Sequence, residues 1–269
     1  MLIGIDETPA NVGVLHQRFL FIKFVGEEHR QRRGVTLKIT TVPMKSLIHI
    51  SFLFLVYFQG FGQDIAIIND KDGYTNVRES TSTQSKIIGK KSENDVFYCV
   101  LSKDSDWYEV YLESGAMGYI HKSRITPLSN LQKLNIKKAN WRDEQLTIKN
   151  DTLMFQIQLR KFDSTKHQIQ RGEKKYPITI DNHEIHGTFG NLPKVEISFI
   201  RLFIRLKEIV LPKEQLSDCY EIDLSRLALY ADKKGRLFIF TSNSDGAGGY
   251  DAIWVIKNNK YQKREILVP

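Results

Sequence analysis

The sequence predicts an all-β protein, in which a small antiparallel barrel is followed by a second antiparallel β domain. Along the 269-residue chain, short apolar or aromatic runs alternate with clusters of Gly, Asp, Asn and Ser, which favour turns. Residues 65–128 contain no sustained helical period. Short strands joined by tight turns bury their apolar face most simply in a strongly bent antiparallel sheet.

The first part of the predicted fold covers residues 65–128. Strand-like runs are centred on residues 96–100, 107–110 and 119–120, and turn formers occupy 70–73, 102–106 and 113–115. Five apolar residues have the spacing of inward-facing positions: Val77, Ile87, Val96, Val110 and Ile120. Two glycines, Gly89 and Gly118, mark points where the backbone must bend sharply or pack closely.

Four short motifs in this part resemble the bacterial SH3 (SH3b) domain in order and spacing. They are YTNVR at 74–78, SKIIG at 85–89, WYEV at 107–110 and GYI at 118–120. The family pattern has an N-V-R strand, an apolar-Gly turn, a W-x-x-V strand and a closing G-[WY]-[IV]. One departure is Asn94 before Asp95, where the family usually has glycine. Asn tolerates a positive φ better than most residues, so the turn is compatible with the change.

The resemblance implies an SH3-like barrel over residues 64–128 that binds a cell-wall peptide or another envelope protein. Its candidate ligand-binding residues carry flat rings or a guanidinium group: Tyr74, Arg78, Trp107, Tyr108 and Tyr119. Flat, half-exposed rings suit an extended peptide or a sugar face. Core packing is the competing explanation for Trp107 and Tyr119, whereas we expect Tyr74 and Tyr108 to be partly exposed.

A lysine-containing connector is predicted over residues 129–144, before an antiparallel β domain over 145–269. Turn sequences predict hairpins at 150–151, 232–235 and 258–259. The very apolar segment 195–211 is expected to form two paired strands, although a helix over part of it is also compatible. A short helical turn is predicted at 212–219, with proline at its first position.

Two loops of the second domain carry candidate binding groups. In SDGAGGYD at 244–251, the glycines let backbone amides approach a ligand, while Asp245, Tyr250 and Asp251 are candidate ligand-binding residues. No helix follows it and no Lys-Ser/Thr ends it, which excludes dinucleotide and P-loop fingerprints. A wide turn that shapes the sheet is the alternative. The pair His183 and His186 lacks a third metal ligand, so no metal and no cofactor are predicted.

Residues 44–63 have the order of a secretory signal peptide. Met44 and Lys45 give a short basic start, an apolar run of about a dozen residues follows, and Gly60 to Gly62 supply small residues for cleavage after Gly62 or Gln63. The run is short of the roughly 20 residues that span a bilayer. We therefore expect translation to begin at Met44, residues 1–43 to be a misassigned upstream leader, and the product to be periplasmic or extracellular with no integral membrane span.

The charge distribution limits the classes of partner that we expect, and the cysteine content predicts the state of the thiols. The formal net charge is +8, but basic residues alternate with acidic ones and form no stripe, so nucleic acid is not an expected partner. This is typical of a solvated surface, with loose attraction to anionic wall polymers or lipid as the alternative. The two cysteines, Cys99 and Cys219, lie far apart in apolar contexts, which predicts buried free thiols.

No enzymatic motif emerges from the sequence. Asp218-Cys219 is similar to the nucleophile region of NlpC-type peptidases, but those enzymes place a histidine after the cysteine and here the last is His186. The H-E-I-H segment is one residue too short for a zinc-peptidase motif, and no G-x-S-x-G elbow is present. We therefore expect a non-enzymatic binding protein. A hydrolase with an unfamiliar site, or an inhibitor or immunity protein, remains an alternative.

Overall fold

The computed structural model describes residues 62–101, 105–135, 142–173, 175–244 and 246–269. The predicted leader (1–43), nearly all of the predicted signal peptide (44–61) and the candidate residue Asp245 lie outside the described residues. Over the described ranges, no helix is long and apolar enough to cross a membrane.

The described part of the chain is built from strands and short 3-10 turns, which confirms the all-β prediction. The strands are β1 (Gly62–Ile68), β2 (Tyr74–Arg78), β3 (Ile87–Ser92), β4 (Val96–Leu101), β5 (Trp107–Tyr111), β6 (Met117–His121), β7 (Ile125–Pro127), β8 (Gln132–Lys133), β9 (Gln145–Lys149), β10 (Leu153–Lys161), β11 (Ile169–Arg171), β12 (Pro177–Ile180), β13 (His183–Glu184), β14 (Val195–Ile204), β15 (Lys207–Ile209), β16 (Ala228–Ala231), β17 (Arg236–Asn243), β18 (Tyr250–Lys257) and β19 (Lys260–Leu267). The 3-10 turns are Lys122–Arg124, Leu128–Asn130, Ser164–Lys166, Lys213–Gln215, Leu224–Arg226 and Gly246–Gly248.

Four antiparallel sheets result. The N-terminal sheet has the order β3-β2-β6-β5-β4-β1-β7, and the central sheet the order β19-β18-β17-β16-β8. The outer sheet has the order β15-β14-β10-β9, and the small sheet the order β11-β12-β13. None of the four closes on itself over the described residues, so β3 and β7 are free edges of the N-terminal sheet where a closed barrel would pair them.

The N-terminal sheet buries one face around Ala66, Val77, Val110 and Ile120, each fully shielded from solvent. Two of the five residues predicted to face this core do not. Ile87 is 47% exposed, because the bulge between Val77 and Arg78 places Ile88 toward the core in its stead.

The second of these residues is Val96. It is buried, but it packs in a different cluster, against the central sheet. Val96 points to the face of the N-terminal sheet that packs against the central sheet. Because both faces of the N-terminal sheet are covered here, an apolar residue is buried on either face.

The predicted hairpins of the second half are confirmed. Asn150 and Asp151 connect β9 to β10, and Asn258 and Asn259 connect β18 to β19 with φ of 53° and 55°. Segment 195–211 forms the paired strands β14 and β15, with Arg205 and Leu206 both at positive φ in the turn. Such turns match the right-handed twist of the strands that they join.

The central sheet is buried on both faces. Along β17, Phe238 packs toward the N-terminal sheet, whereas Leu237 and Ile239 pack toward the outer sheet. Along β18, Val255 and Trp254 alternate in the same way. Because successive side chains of a strand point to opposite faces, a central layer requires apolar residues at nearly every position. The result is three stacked layers in which the central sheet is the middle one.

The predicted connector (129–144) is partly incorporated in this core. Its residues Gln132 and Lys133 form β8, which pairs with Tyr230 and Ala231 of β16. Leu128, immediately before it, is 3% exposed and packs between the N-terminal and central sheets. The described residues belong to one compact unit, in which the N-terminal and central sheets share an apolar interface.

Candidate functional site

Four of the sequence-predicted residues lie on the solvent-facing side of the N-terminal sheet. Along β2, Thr75 and Val77 are buried, whereas Tyr74 and Arg78 point to the opposite side. Across the sheet, Arg78 is paired with Tyr119 of β6, and Trp107 of β5 is paired with His121 of β6. Directly paired residues of neighbouring strands have their Cβ atoms about 5 Å apart. These side chains therefore form a continuous aromatic surface with one guanidinium group, which we call the outer face.

A cavity of about 170 Å³ opens on this outer face. It brings Tyr74, Arg78 and Trp107 together with Asn76, His121 and other polar residues. The indole of Trp107 meets the His121 ring edge-on, with centroids 5.3 Å apart. Tyr74 is 42% exposed, so one face of its ring is open to a ligand. Exposed rings beside a small polar cavity are suited to an extended peptide.

Arg78 is held in place but is not neutralised. Its Nη1 donates a hydrogen bond of 2.6 Å to the carbonyl oxygen of Ser85. No carboxylate in the described ranges forms an ion pair with it. Since a guanidinium group has five N–H donors in a planar fork, the Nε–Nη2 edge of Arg78 has no acceptor from the described chain.

Asn76 is a second unsatisfied group in the same cavity. Its Oδ1 atom is buried and makes no hydrogen bond to any described residue. A buried polar atom without a partner costs about 1–3 kcal/mol, so a ligand or solvent donor at this point is stabilising.

The charges at the rim of the cavity are partly balanced. Asp70 forms an ion pair of 2.5 Å with Arg124, and its other oxygen accepts the backbone N–H of Asp72. The hydrogen bond from Asp72 and then the Arg124 guanidinium lower the pKa of Asp70, against the opposing effect of burial. Lys90 lies over the Tyr74 ring, with Nζ 4.6 Å from the centroid. A cation at this distance is attracted to the ring and keeps its charge near the cavity.

Tyr108 does not belong to the outer face. It follows Trp107 directly in β5, so its side chain points to the opposite side of the sheet and packs against the buried cluster around Val110. The side-chain alternation of a strand separates these two neighbours.

The candidate residues Tyr250 and Asp251 of the glycine-rich loop 244–251 do not line the cavity on the outer face. Tyr250 is 2% exposed, and its hydroxyl donates a hydrogen bond of 2.8 Å to the carbonyl oxygen of Tyr220. Asp251 accepts a hydrogen bond of 2.8 Å from the Tyr98 hydroxyl of the N-terminal sheet. Burial, and then this bond to Asp251, raise the pKa of Tyr98. Both loop residues therefore hold protein segments together in this structure.

Cys219 lies beside a histidine that precedes it in sequence. Its backbone forms an isolated parallel bridge with His186, and Arg264 Nη1 lies 3.3 Å from its sulfur. The thiol is fully buried, however, and burial raises its pKa to about 12 despite the nearby guanidinium. A nucleophilic cysteine requires an accessible thiolate. Cys219 and Cys99 are both free and buried, which confirms the prediction for the thiols.

In the described part of the chain, no three His, Cys, Asp or Glu side chains lie close enough together to bind a metal ion. His183 is exposed in β13, while His186 is partly buried, and burial lowers the pKa of His186.

Seven of the ten cavity residues were not identified from the sequence as binding residues, among them Asn76, His121 and Arg124. Asn76 was available from it, since it lies two residues from both Tyr74 and Arg78 and so shares their side of the strand. His121 and Arg124 carry no such local signal. They reach the cavity through the pairing of β6 with β5 and through the turn that follows β6.

Comparison with known proteins returns no match, whether the chain is compared with family models, curated proteins or solved structures.

Proposed function

We propose that this chain is an exported, non-enzymatic binding protein of the cell envelope. In this proposal, residues 64–128 form a bacterial SH3-like domain, and its outer face binds a cell-wall peptide or an envelope protein. The observation that carries the proposal is the convergence of Tyr74, Arg78 and Trp107 on one cavity. The four motif segments behind the resemblance lie in a single sheet, on β2, β3, β5 and β6 and the residues next to them.

Two further features support a binding role over catalysis. The only candidate nucleophile that the sequence suggested, Cys219, is buried with a raised pKa. The outer face offers aromatic rings and a guanidinium group that pairs with no carboxylate of the described residues. Trp, Tyr and Arg are the residue types enriched where binding energy concentrates. Neither observation requires a chemical step.

Export is the second part of the proposal. It is supported by the basic start, the apolar run and the small residues of segment 44–63. N-terminal sequencing of the protein recovered outside the cytoplasm is expected to begin at Gln63 or Asp64. Recovery of a cytosolic chain that still carries Met1 would contradict it.

The binding test uses purified wall sacculi and the exported form of the protein. We expect co-sedimentation with sacculi, and affinity at least about tenfold lower for the Tyr74→Ala/Trp107→Ala variant, because truncated aromatic anchors typically cost more than 1 kcal/mol each. Tyr176→Ala is the matched control, since Tyr176 is 57% exposed but lies before β12 of the small sheet.

Three results would contradict the proposal. Loss of turbidity of the sacculi on adding the protein would indicate a hydrolase. Equal binding by the double variant and the control would show that the outer face is not the binding site. Absence of binding to both sacculi and isolated envelope proteins would remove the function itself.

A further inference from the structure

We propose that the cavity on the outer face captures the free carboxyl terminus of an extended peptide, with Arg78 receiving the carboxylate and Asn76 the backbone amide of the preceding residue. The proposal rests on the proposed function in taking the outer face as the ligand site. It goes further by naming the chemical group that is recognised.

The first argument is the state of Arg78. Its Nη1 donates to the Ser85 carbonyl oxygen at 2.6 Å, which restrains the guanidinium group. No described carboxylate pairs with it, although the neighbouring Arg124 is paired with Asp70 at 2.5 Å. A preorganised guanidinium edge binds a carboxylate through two parallel hydrogen bonds, and little side-chain entropy remains to be lost.

The second argument is the unsatisfied amide of Asn76. Its Oδ1 is shielded from solvent and has no donor within the described residues, while Asn76 as a residue lines the same cavity as Arg78. The two residues occupy positions i and i+2 of β2, about 6.6 Å apart along the strand. That distance equals the two-residue repeat of an extended peptide. A peptide whose carboxylate meets Arg78 therefore has a backbone amide within reach of Asn76.

The third argument is the surroundings of the cavity. The lining includes the edge-on pair of Trp107 and His121 and the exposed ring of Tyr74, together with the carboxylates of Asp70, which pairs with Arg124, and of Asp72. Lys90 adds a positive charge over the Tyr74 ring, 4.6 Å from its centroid. Rings around a carboxylate site exclude water from the ion pair and strengthen it.

The cavity volume of about 170 Å³ is consistent with one terminal residue and excludes a large compact ligand. Small-molecule sites are usually larger, at about 300–1,000 Å³. Most of a bound peptide would therefore lie across the aromatic surface outside the cavity. In this arrangement the cavity binds the terminal residue, and the aromatic rings contact the rest of the peptide.

The test compares N-acetyl-dialanine as a free acid and as its C-terminal amide, titrated into the unmodified exported protein. The indole resonance of Trp107 and the Nε–H resonance of Arg78 report on binding by NMR. We expect the acid to bind about tenfold to a hundredfold more tightly than the amide, because a charge-assisted hydrogen bond is roughly twice as strong as a neutral one and the carboxylate accepts two of them. Using both the L,L and the D,D peptides distinguishes a protein terminus from a wall peptide, which ends in D-residues.

The variant test replaces the guanidinium group. Arg78→Gln is expected to bind acid and amide equally weakly, and Arg78→Lys to keep part of the preference through its charge alone. Arg171→Gln is the control, because Arg171 also donates through Nη1 to a backbone carbonyl oxygen, that of Lys175 at 2.9 Å, but is exposed and lies in the small sheet.

The outcomes separate this inference from the proposed function. Equal affinity for acid and amide would overturn carboxylate capture and leave sacculus binding standing. Binding to sacculi without any response to either peptide would do the same. Binding of neither peptides nor sacculi would overturn both proposals. The acid–amide comparison uses the unmodified chain, so its result does not depend on whether the Arg78 variants fold.

Discussion

Arg236 is the residue through which three distant segments of the chain are joined. Its side chain is completely buried, with Nε 2.6 Å from the Asp232 carboxylate. Nη2 donates to the Ile68 carbonyl oxygen at 3.0 Å, and Nη1 donates to that of Glu93. Since Ile68 and Glu93 belong to the N-terminal sheet and Arg236 begins β17, one guanidinium group satisfies buried acceptors from both sheets.

Replacing this residue tests its role. Arg236→Met leaves the buried Asp232 carboxylate without its counter-ion and removes the side-chain donors to two carbonyl oxygens, and we expect it to lower the free energy of unfolding by about 3–5 kcal/mol. Urea denaturation measures the change. Arg226→Met is the control, since Arg226 is half exposed and its pair with Asp223 is a surface one, worth less than about 1 kcal/mol.

The double variant Asp232→Asn/Arg236→Met separates lost charge pairing from lost packing. Because no unpaired carboxylate stays buried, it is expected to be more stable than Arg236→Met alone. A loss within 1 kcal/mol for Arg236→Met would contradict the bridging role.

At the scale of elements, the pairing of β2 with β6 positions the outer face. The strands approach closely at Gly118, where an added Cβ would lie 2.5 Å from Val77 Cγ1 and 2.9 Å from the Arg78 carbonyl oxygen. Neither atom can move away cheaply, since Val77 is buried in the core and the carbonyl belongs to the strand. Glycine at this position is thus what allows Arg78 and Tyr119 to lie side by side.

Gly118→Ala is expected to lower the free energy of unfolding by about 1–3 kcal/mol, the usual cost of overpacking a core. It should also weaken ligand binding, because β2 must move away from β6. Denaturation and the sacculus assay measure the two effects. Gly172→Ala is the control, as its nearest neighbour is Ile178, which is 57% exposed and free to shift; equal losses in both variants would contradict the argument.

At the scale of the whole molecule, ion pairs between the N-terminal and central sheets make the free energy of unfolding depend on pH. Glu93 accepts a hydrogen bond of 2.5 Å from Lys257. This bond, and then the charges of Lys257, Arg236 and Lys234, lower the pKa of Glu93 below its ordinary value of 4.5 despite burial. Asp95 pairs with Lys263 in the same way, at 2.9 Å.

The direction of the pH effect follows from that lowered pKa. In the unfolded chain Glu93 takes up its proton near pH 4.5, whereas the folded protein resists protonation to lower pH. The stabilisation is therefore complete above pH 4.5 and is lost as the pH falls through the lowered value. Glu93→Gln should reduce the free energy of unfolding by about 1 kcal/mol at pH 7 and by progressively less as the pH falls below 4.5.

Urea titrations at pH 7, 5, 4 and 3 measure this convergence. Glu113→Gln is the control, because Glu113 is an exposed turn residue of the N-terminal sheet, and its curve should follow the unmodified protein. A Glu93→Gln deficit that stays constant down to pH 3 would show that lost packing, and not the charge, causes the change.

Several elements were predictable because their signals are local. Asn258-Asn259 and Asn150-Asp151 specify turns by themselves, since these residues tolerate positive φ or bond to their own backbone. The strand-like run at 107–110 likewise placed Trp107 on a strand, whereas Tyr74 and Arg78 were placed on one by the motif that resembles the SH3b pattern. The exposure of Ile87 was not predictable, because it depends on a bulge that arises only when β2 and β3 pair.

Local amino-acid pattern by itself determined the all-β class, the positions of the hairpins and the aromatic residues that the outer face displays, because strand alternation and turn preference act over a few neighbouring residues. Tertiary structure alone decided that Tyr250 is buried, that the central sheet lies between two others, and that Asn76, His121 and Arg124 join Arg78 at one cavity. Those outcomes depend on which strands pair across long stretches of chain. The pairing is determined by the burial of apolar side chains when the sheets assemble.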